Sequence, residues 1–125
     1  MSDEPNLQEI PLVTGPTRIK RARLYPYPDL TRLWLRVDLS PFSRPPNLTV
    51  SVRGPDGALV SEMDLIQWRD PRISLTMHLR RPPQPGATYR AELILTELQE
   101  DEEVLLDRTE LEFPLEFVEP DQSDL

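Results

Sequence analysis

The single histidine of the chain, His78, is the first residue to test for catalytic chemistry. A serine, histidine and acid arrangement needs a histidine that an acid orients and that reaches a nucleophile. His78 lies in an alternating segment with Thr76 and Arg80 on its own face, and no G-x-S-x-G motif occurs. We interpret His78 as a solvated strand residue, predict no catalytic residues, and expect that the protein is not an enzyme.

The acidic run from Glu100 to Glu103 supplies carboxylate oxygens, the ligands that Ca²⁺ prefers. It lacks the Asp-x-Asp-x-Asp-Gly spacing that turns such ligands toward one point, so segment 97–107 is predicted to be a solvated hairpin loop. The chain has no cysteine, which excludes disulfides, thiolate metal sites and thiol catalysis. The "GPDG" stretch (54–57) is too short to bind phosphate and predicts a tight turn. We therefore predict no metal and no cofactor.

The net charge of −8 argues against nucleic acid, because a phosphate backbone repels an acidic protein. No apolar run approaches the ~20 residues of a membrane-spanning helix, so no membrane partner is expected. The stretch "MSDEPNLQEI" lacks the basic start and the apolar core of a signal peptide. These features lead us to expect a cytoplasmic protein.

The elements between these residues are predicted to be strands. Fifteen prolines and four glycines mark the loops, and the stretches between them alternate apolar and polar residues. Short strands with one apolar face predict an all-β fold in which two antiparallel sheets cover each other. We expect a flexible N-terminal tail (1–16), a β-sandwich domain (17–118) and an acidic C-terminal tail (119–125). The seven predicted strands are 17–25, 31–39, 47–53, 58–65, 72–80, 88–95 and 109–117.

The stretch "HLRRPPQPGATYRAELIL" (78–95) places one tyrosine, Tyr89, just before an alternating run. It resembles the corner between strands E and F of the fibronectin type III and immunoglobulin-like superfamily, where a tyrosine hydroxyl bonds upstream backbone. In this resemblance Gly86 lies in the corner loop, and Ala91, Leu93 and Leu95 point inward. The resemblance implies an immunoglobulin-like Greek-key sandwich with structural roles for Tyr89 and Gly86. It implies no function, because this fold serves many.

Charge is unevenly distributed along the chain, with a basic segment at 18–36 and an acidic one at 97–125. If the first and last strands are neighbours, opposite charges can pair across them, each pair contributing roughly 0.2–1 kcal/mol. Charges and Pro114 on an edge strand would also discourage sheet extension. The predicted pairs join Arg18, Lys20, Arg21 and Arg23 to Glu110, Glu112 and Glu116.

Aromatic residues on the outer face of the sandwich provide the functional hypotheses. The parity of Trp34 sets it opposite the core leucines, beside Arg36, while Tyr25, Tyr27 and Trp68 lie at strand ends or in loops. Tryptophan, tyrosine and arginine dominate protein–protein hot spots. The leading hypothesis is a non-catalytic interaction or scaffolding module that binds a protein partner, or itself as a homodimer, through an outer sheet face or an edge strand. The alternative is a carbohydrate-binding module that stacks sugars on these aromatics.

Overall fold

The computed structural model describes residues 16–125, so all of the predicted N-terminal tail except Pro16 lies outside the described residues. Seven antiparallel strands form two sheets, one of three strands in the order β1-β2-β5 and one of four in the order β4-β3-β6-β7. This arrangement confirms the predicted all-β sandwich. The strands are β1 (Ile19–Pro26), β2 (Arg32–Leu39), β3 (Asn47–Arg53), β4 (Leu59–Leu65), β5 (Arg72–His78), β6 (Thr88–Gln99) and β7 (Glu102–Pro114).

The core lies between the two sheets, where the apolar residues of each strand point. In β2, Leu33, Leu35 and Val37 are fully buried, and Val50 and Leu93 face them from the other sheet with no exposed surface. Strand periodicity places every second side chain on one face, so the alternation read in the sequence is sufficient to build this core.

Tyr89 forms the predicted corner. Tyr89 is 2% exposed, and its hydroxyl accepts a hydrogen bond from the backbone N–H of Gln84 at 3.0 Å. Gly86 adopts a φ of 81°, in the left-handed region that favours glycine, and its N–H donates to the Leu115 carbonyl at 2.8 Å. The corner therefore joins the loop before β6 both to the core and to the end of β7.

The predicted loop at 97–107 is wrong, because β6 and β7 continue through it as a paired hairpin down to Gln99 and Glu102. Glu100 and Asp101 form the two-residue turn with φ values of 49° and 67°. Two consecutive positive φ values match the twist of a tight hairpin. Strand pairing satisfies the backbone N–H and carbonyl groups while the carboxylate side chains stay in solvent. Acidic composition alone therefore does not indicate a loop.

The predicted charge pairing between the first and last strands is also wrong. β1 and β7 belong to different sheets, and Glu110 and Glu112 lie on the outside of the four-stranded sheet. There Glu112 pairs with Arg90 at 2.7 Å and Glu110 with Arg108 at 2.9 Å, both across or along the β6–β7 hairpin. Strand β7 does lie at a sheet edge, which permits Pro114 because a proline has no amide to donate.

Candidate functional site

The outer face of the three-stranded sheet carries most of the residues singled out in the sequence. Strands β1, β2 and β5 pair in register so that Tyr25 lies opposite Trp34, and Trp34 opposite Thr76. The same pairing aligns Arg23, Arg36 and Ser74 one step along the sheet. Three separate strands thus bring aromatic, cationic and hydroxyl side chains onto one surface.

An aromatic groove of about 320 Å³ lies at one end of this face. The Tyr25 and Trp34 ring centroids are 5.5 Å apart and the ring planes are tilted by 30°. The lining residues are Tyr25, Pro26, Tyr27, Pro28, Trp34, Phe117, Pro120 and Leu125. Its composition is almost wholly apolar, and it gathers three of the predicted aromatics in one place.

Hydrogen bonds hold the rings of the aromatic groove in place. The Trp34 indole N–H donates to Ser74 Oγ at 2.8 Å, and the Tyr27 and Thr76 hydroxyls are 3.0 Å apart. The Arg32 guanidinium lies 4.3 Å from the centre of the Tyr27 ring, within cation–π range. The polar atoms of Trp34 and Tyr27 therefore have partners inside the chain, and the groove presents ring surface.

Trp68 does not join the aromatic groove. It follows β4, packs against the core, and donates its backbone N–H to the Pro46 carbonyl at 2.8 Å. Its indole Nε1 is buried and has no hydrogen-bond partner among the described residues. The sequence therefore places Trp68 correctly near a loop but not in the aromatic groove, because the loop packs the ring, partly buried, against the core.

Arg36 lies on the outer face, as its parity predicts, but it is 2% exposed and not available as a surface contact. Its Nε donates to the Asp124 carbonyl at 3.0 Å, and its Nη1 reaches the Ile73 carbonyl at 3.1 Å and Asp38 Oδ1 at 3.2 Å. A guanidinium can be buried when its donors are satisfied in this way. The covering group is the C-terminal segment (116–125).

The C-terminal segment does not extend away from the domain as a tail, in contrast to the prediction for 119–125. It turns back over the outer face of the three-stranded sheet and forms a short 3₁₀ turn at Gln122–Asp124. Asp124 is buried against this face and is 2% exposed. Arg21 Nη2 donates to Asp124 Oδ2 at 3.1 Å, and the Tyr25 hydroxyl donates to the same oxygen. Buried carboxylates require such paired, hydrogen-bonded partners.

We call the side chains that bind the end of the C-terminal segment the carboxylate cleft, formed by Arg21, Tyr25, Arg36 and Arg72. Arg72 Nη2 completes it by donating to the Leu125 main-chain oxygen at 3.2 Å. Arg21 also lies 3.7 Å from Asp121. The basic segment at 18–36 thus does find acidic partners at the end of the chain, but these partners are Asp121 and Asp124.

The 3₁₀ turn has its own cap. Asp121 accepts a hydrogen bond from the Ser123 backbone N–H at 3.0 Å, and a second from the Ser123 hydroxyl at 2.9 Å. These bonds favour the charged carboxylate and, with the nearby Arg21, lower the pKa of Asp121 below its usual value. The cap fixes the direction in which the following Asp124 enters the carboxylate cleft.

His78 is exposed, and its carbonyl accepts a hydrogen bond from the Ser61 hydroxyl at 2.8 Å. Between residues 16 and 125, no group of three or more histidine or acidic side chains is arranged to hold a metal ion. Over the same residues no helix is long and apolar enough to cross a membrane.

No protein-family model and no curated protein matches the chain. Solved structures do. A β-glucuronidase from Parabacteroides merdae aligns with a TM-score of 0.56 and 17% identity, covering 78% of this chain and 14% of that one. A glycosyl hydrolase family 2 member from Bacteroides cellulosilyticus aligns with a TM-score of 0.52 and 12% identity, covering 82% and 16%. The chain therefore shares its β-sandwich fold with a small portion of these much longer enzymes.

Proposed function

We propose that this chain is a non-catalytic, cytoplasmic interaction module and that the aromatic groove is its binding surface. The observation that carries the proposal is the groove itself, in which Tyr25, Tyr27 and Trp34 come together from two strands and the connection that follows β1. Rings that are held rigidly provide a large contact area at a small cost in conformational entropy.

The ligand that best fits this surface is an extended, proline-containing segment of another protein. Grooves lined by aromatic rings bind such segments in the polyproline II conformation, which is already ordered before binding. Pro26, Pro28 and Pro120 flank the rings and make the walls apolar as well. Because Trp34 Nε1 already donates to Ser74, the contact we propose is ring stacking against apolar side chains.

The proposal is tested with a panel of proline-containing peptides titrated against the full chain, with binding followed by NMR chemical shifts. Trp34→Ala should weaken binding by at least about tenfold, the effect of a ~1.4 kcal/mol contact, and keep the domain folded. Ile66→Ala is the matched control, because Ile66 is 69% exposed and lies outside the groove. Unfolding of the Trp34→Ala variant would make Trp34 a core residue and refute the proposal.

Carbohydrate binding is the second candidate, favoured by the tilted pair of Tyr25 and Trp34 rings, which offers a stacking platform. We rank it below a protein ligand, since sugars need hydrogen-bonding groups and the ring N–H and hydroxyls of the groove are engaged inside the chain. Tryptophan fluorescence during titration with a glycan panel separates the two. A saturable response to a sugar that Trp34→Ala abolishes would reverse the ranking.

A further inference from the structure

The carboxylate cleft holds a segment that has few other attachments to the domain. Leu115, just before this segment, is still bound to the sandwich, because its N–H donates to the Ala87 carbonyl at 2.9 Å. From 117 to 119, no backbone N–H donates to another described residue. The C-terminal segment is therefore anchored at its far end, chiefly through Asp124.

Two apolar side chains of the same segment are about half exposed, and Phe117 also lines the aromatic groove. Phe117 is 47% exposed and Val118 is 54% exposed. The strand predicted for 109–117 ends earlier than expected, because β7 ends at Pro114 and Leu115 is the last buried residue before Phe117. An exposed apolar pair next to an unattached stretch of backbone gains from burial against a second surface.

We propose that the carboxylate cleft is a receptor site for the C-terminal segment of a second copy of this chain, so that two copies exchange these segments. Charge complementarity specifies the occupant. The segment carries Glu116, Glu119, Asp121 and Asp124 without any basic residue, and the cleft presents three arginines. An exchanged segment makes the same contacts as the present one, which is why such exchange costs little.

The geometry of the connection permits this exchange. The nine Cα–Cα steps from Leu115 to Asp124 can span roughly 30 Å when extended, which is enough to cross to a neighbouring domain. Phe117 and Val118 lie near the Leu115 end of that span, where the segment leaves the sandwich and where two copies would meet. The proposal does not rest on the proposed function, although the two surfaces adjoin. Tyr25 belongs to both, and the C-terminal segment lines part of the aromatic groove.

The test uses two full-length variants that are each defective in one half of the interaction. Asp124→Asn has an intact cleft and a defective segment, and Arg21→Gln has an intact segment and a defective cleft. Glu119→Gln is the matched control, because it removes the same charge as Asp124→Asn from an exposed position in the same segment. Circular dichroism first verifies that all three variants are folded.

Sedimentation equilibrium then measures self-association of each protein and of the mixture. We expect a concentration-dependent dimer for the natural chain and for Glu119→Gln, and association within about threefold of theirs for Asp124→Asn and Arg21→Gln alone, because each substitution removes the same contact from the closed monomer and from the exchanged dimer. The mixture should associate more tightly than either variant alone. In the mixed dimer one interface is intact and the other contains both defects, and an interaction already lost is not lost twice.

Three outcomes would overturn the proposal. These are a natural chain that stays monomeric at every concentration, an Asp124→Asn variant that no longer associates on its own, and a mixture that associates no better than its components. The second outcome would mean that the dimer has contacts to Asp124 that the closed monomer lacks. None of them alters the result expected for Trp34→Ala with peptide ligands, because a docked segment lines the aromatic groove in the closed monomer and in the exchanged dimer alike. Failure of one proposal is therefore distinguishable from failure of the other.

Discussion

Removing the hydroxyl of Tyr89 tests whether the corner it forms stabilises the sandwich through a hydrogen bond as well as through its ring. Tyr89→Phe keeps the ring in the core, where its centroid lies 6.0 Å from that of Phe113. It deletes the hydrogen bond from the backbone N–H of Gln84. Gln84 is exposed, so water can replace the lost acceptor. The expected loss is therefore about 1 kcal/mol, below the ~2–3 kcal/mol at the upper end for a buried donor left unpaired.

Urea unfolding followed by tryptophan fluorescence measures this difference, and the m-value should stay constant because the surface exposed on unfolding does not change. Tyr27→Phe is the matched control. It deletes a hydroxyl that bonds Thr76 on the outer face, where both residues are partly exposed, and should cost less than about 0.5 kcal/mol. Equal losses for the two variants would refute the view that the corner hydroxyl has a special structural role.

Three further predictions concern the backbone and the C-terminal cap. Asp101→Gly should raise the free energy of unfolding by roughly 0.5–1 kcal/mol in urea, because glycine adopts the positive φ of the hairpin turn without strain. Gly86→Ala should lower the melting temperature through a loss of about 1 kcal/mol, because its φ of 81° disfavours alanine although the space around it is open. The Asp121 carboxyl should titrate by NMR with a midpoint below 3.8, its ordinary pKa. Since the pKa of Asp121 is lowered in the folded state, its ionised carboxylate stabilises the folded protein at neutral pH. This stabilisation is lost as the pH falls through the folded-state pKa.

The strands were predictable because their information is local. Leu33, Leu35 and Val37 alternate with Trp34 and Arg36, and this alternation indicates which face of β2 points into the core. The Tyr89 corner was predictable for the same reason, since its partner Gln84 lies five residues away. The turn at Glu100 and Asp101 was not, because neither residue is the glycine or asparagine that usually indicates such a turn.

The carboxylate cleft could not be predicted from sequence, because its partners are distant along the chain. Asp124 is 103 residues from Arg21, and its carbonyl accepts from Arg36 across 88 residues. An uneven charge distribution does indicate that the two ends attract each other. It does not specify which carboxylate enters the sheet, since that depends on how β1 and β2 align Arg21, Arg36 and Tyr25 on one face.

The order of strands in the four-stranded sheet also has a kinetic consequence. The central pair, β3 and β6, is separated in sequence by both β4 and β5, and Val50 meets Leu93 only after that long loop has closed. Closure costs chain entropy before burial repays it, so sandwiches of this kind fold in milliseconds to seconds. We expect Val50→Ala to slow folding, because the β3–β6 contact must form in the transition state. Substitutions that loosen the C-terminal segment should instead act mainly on the unfolding rate, because its docking site exists only once β1, β2 and β5 are paired.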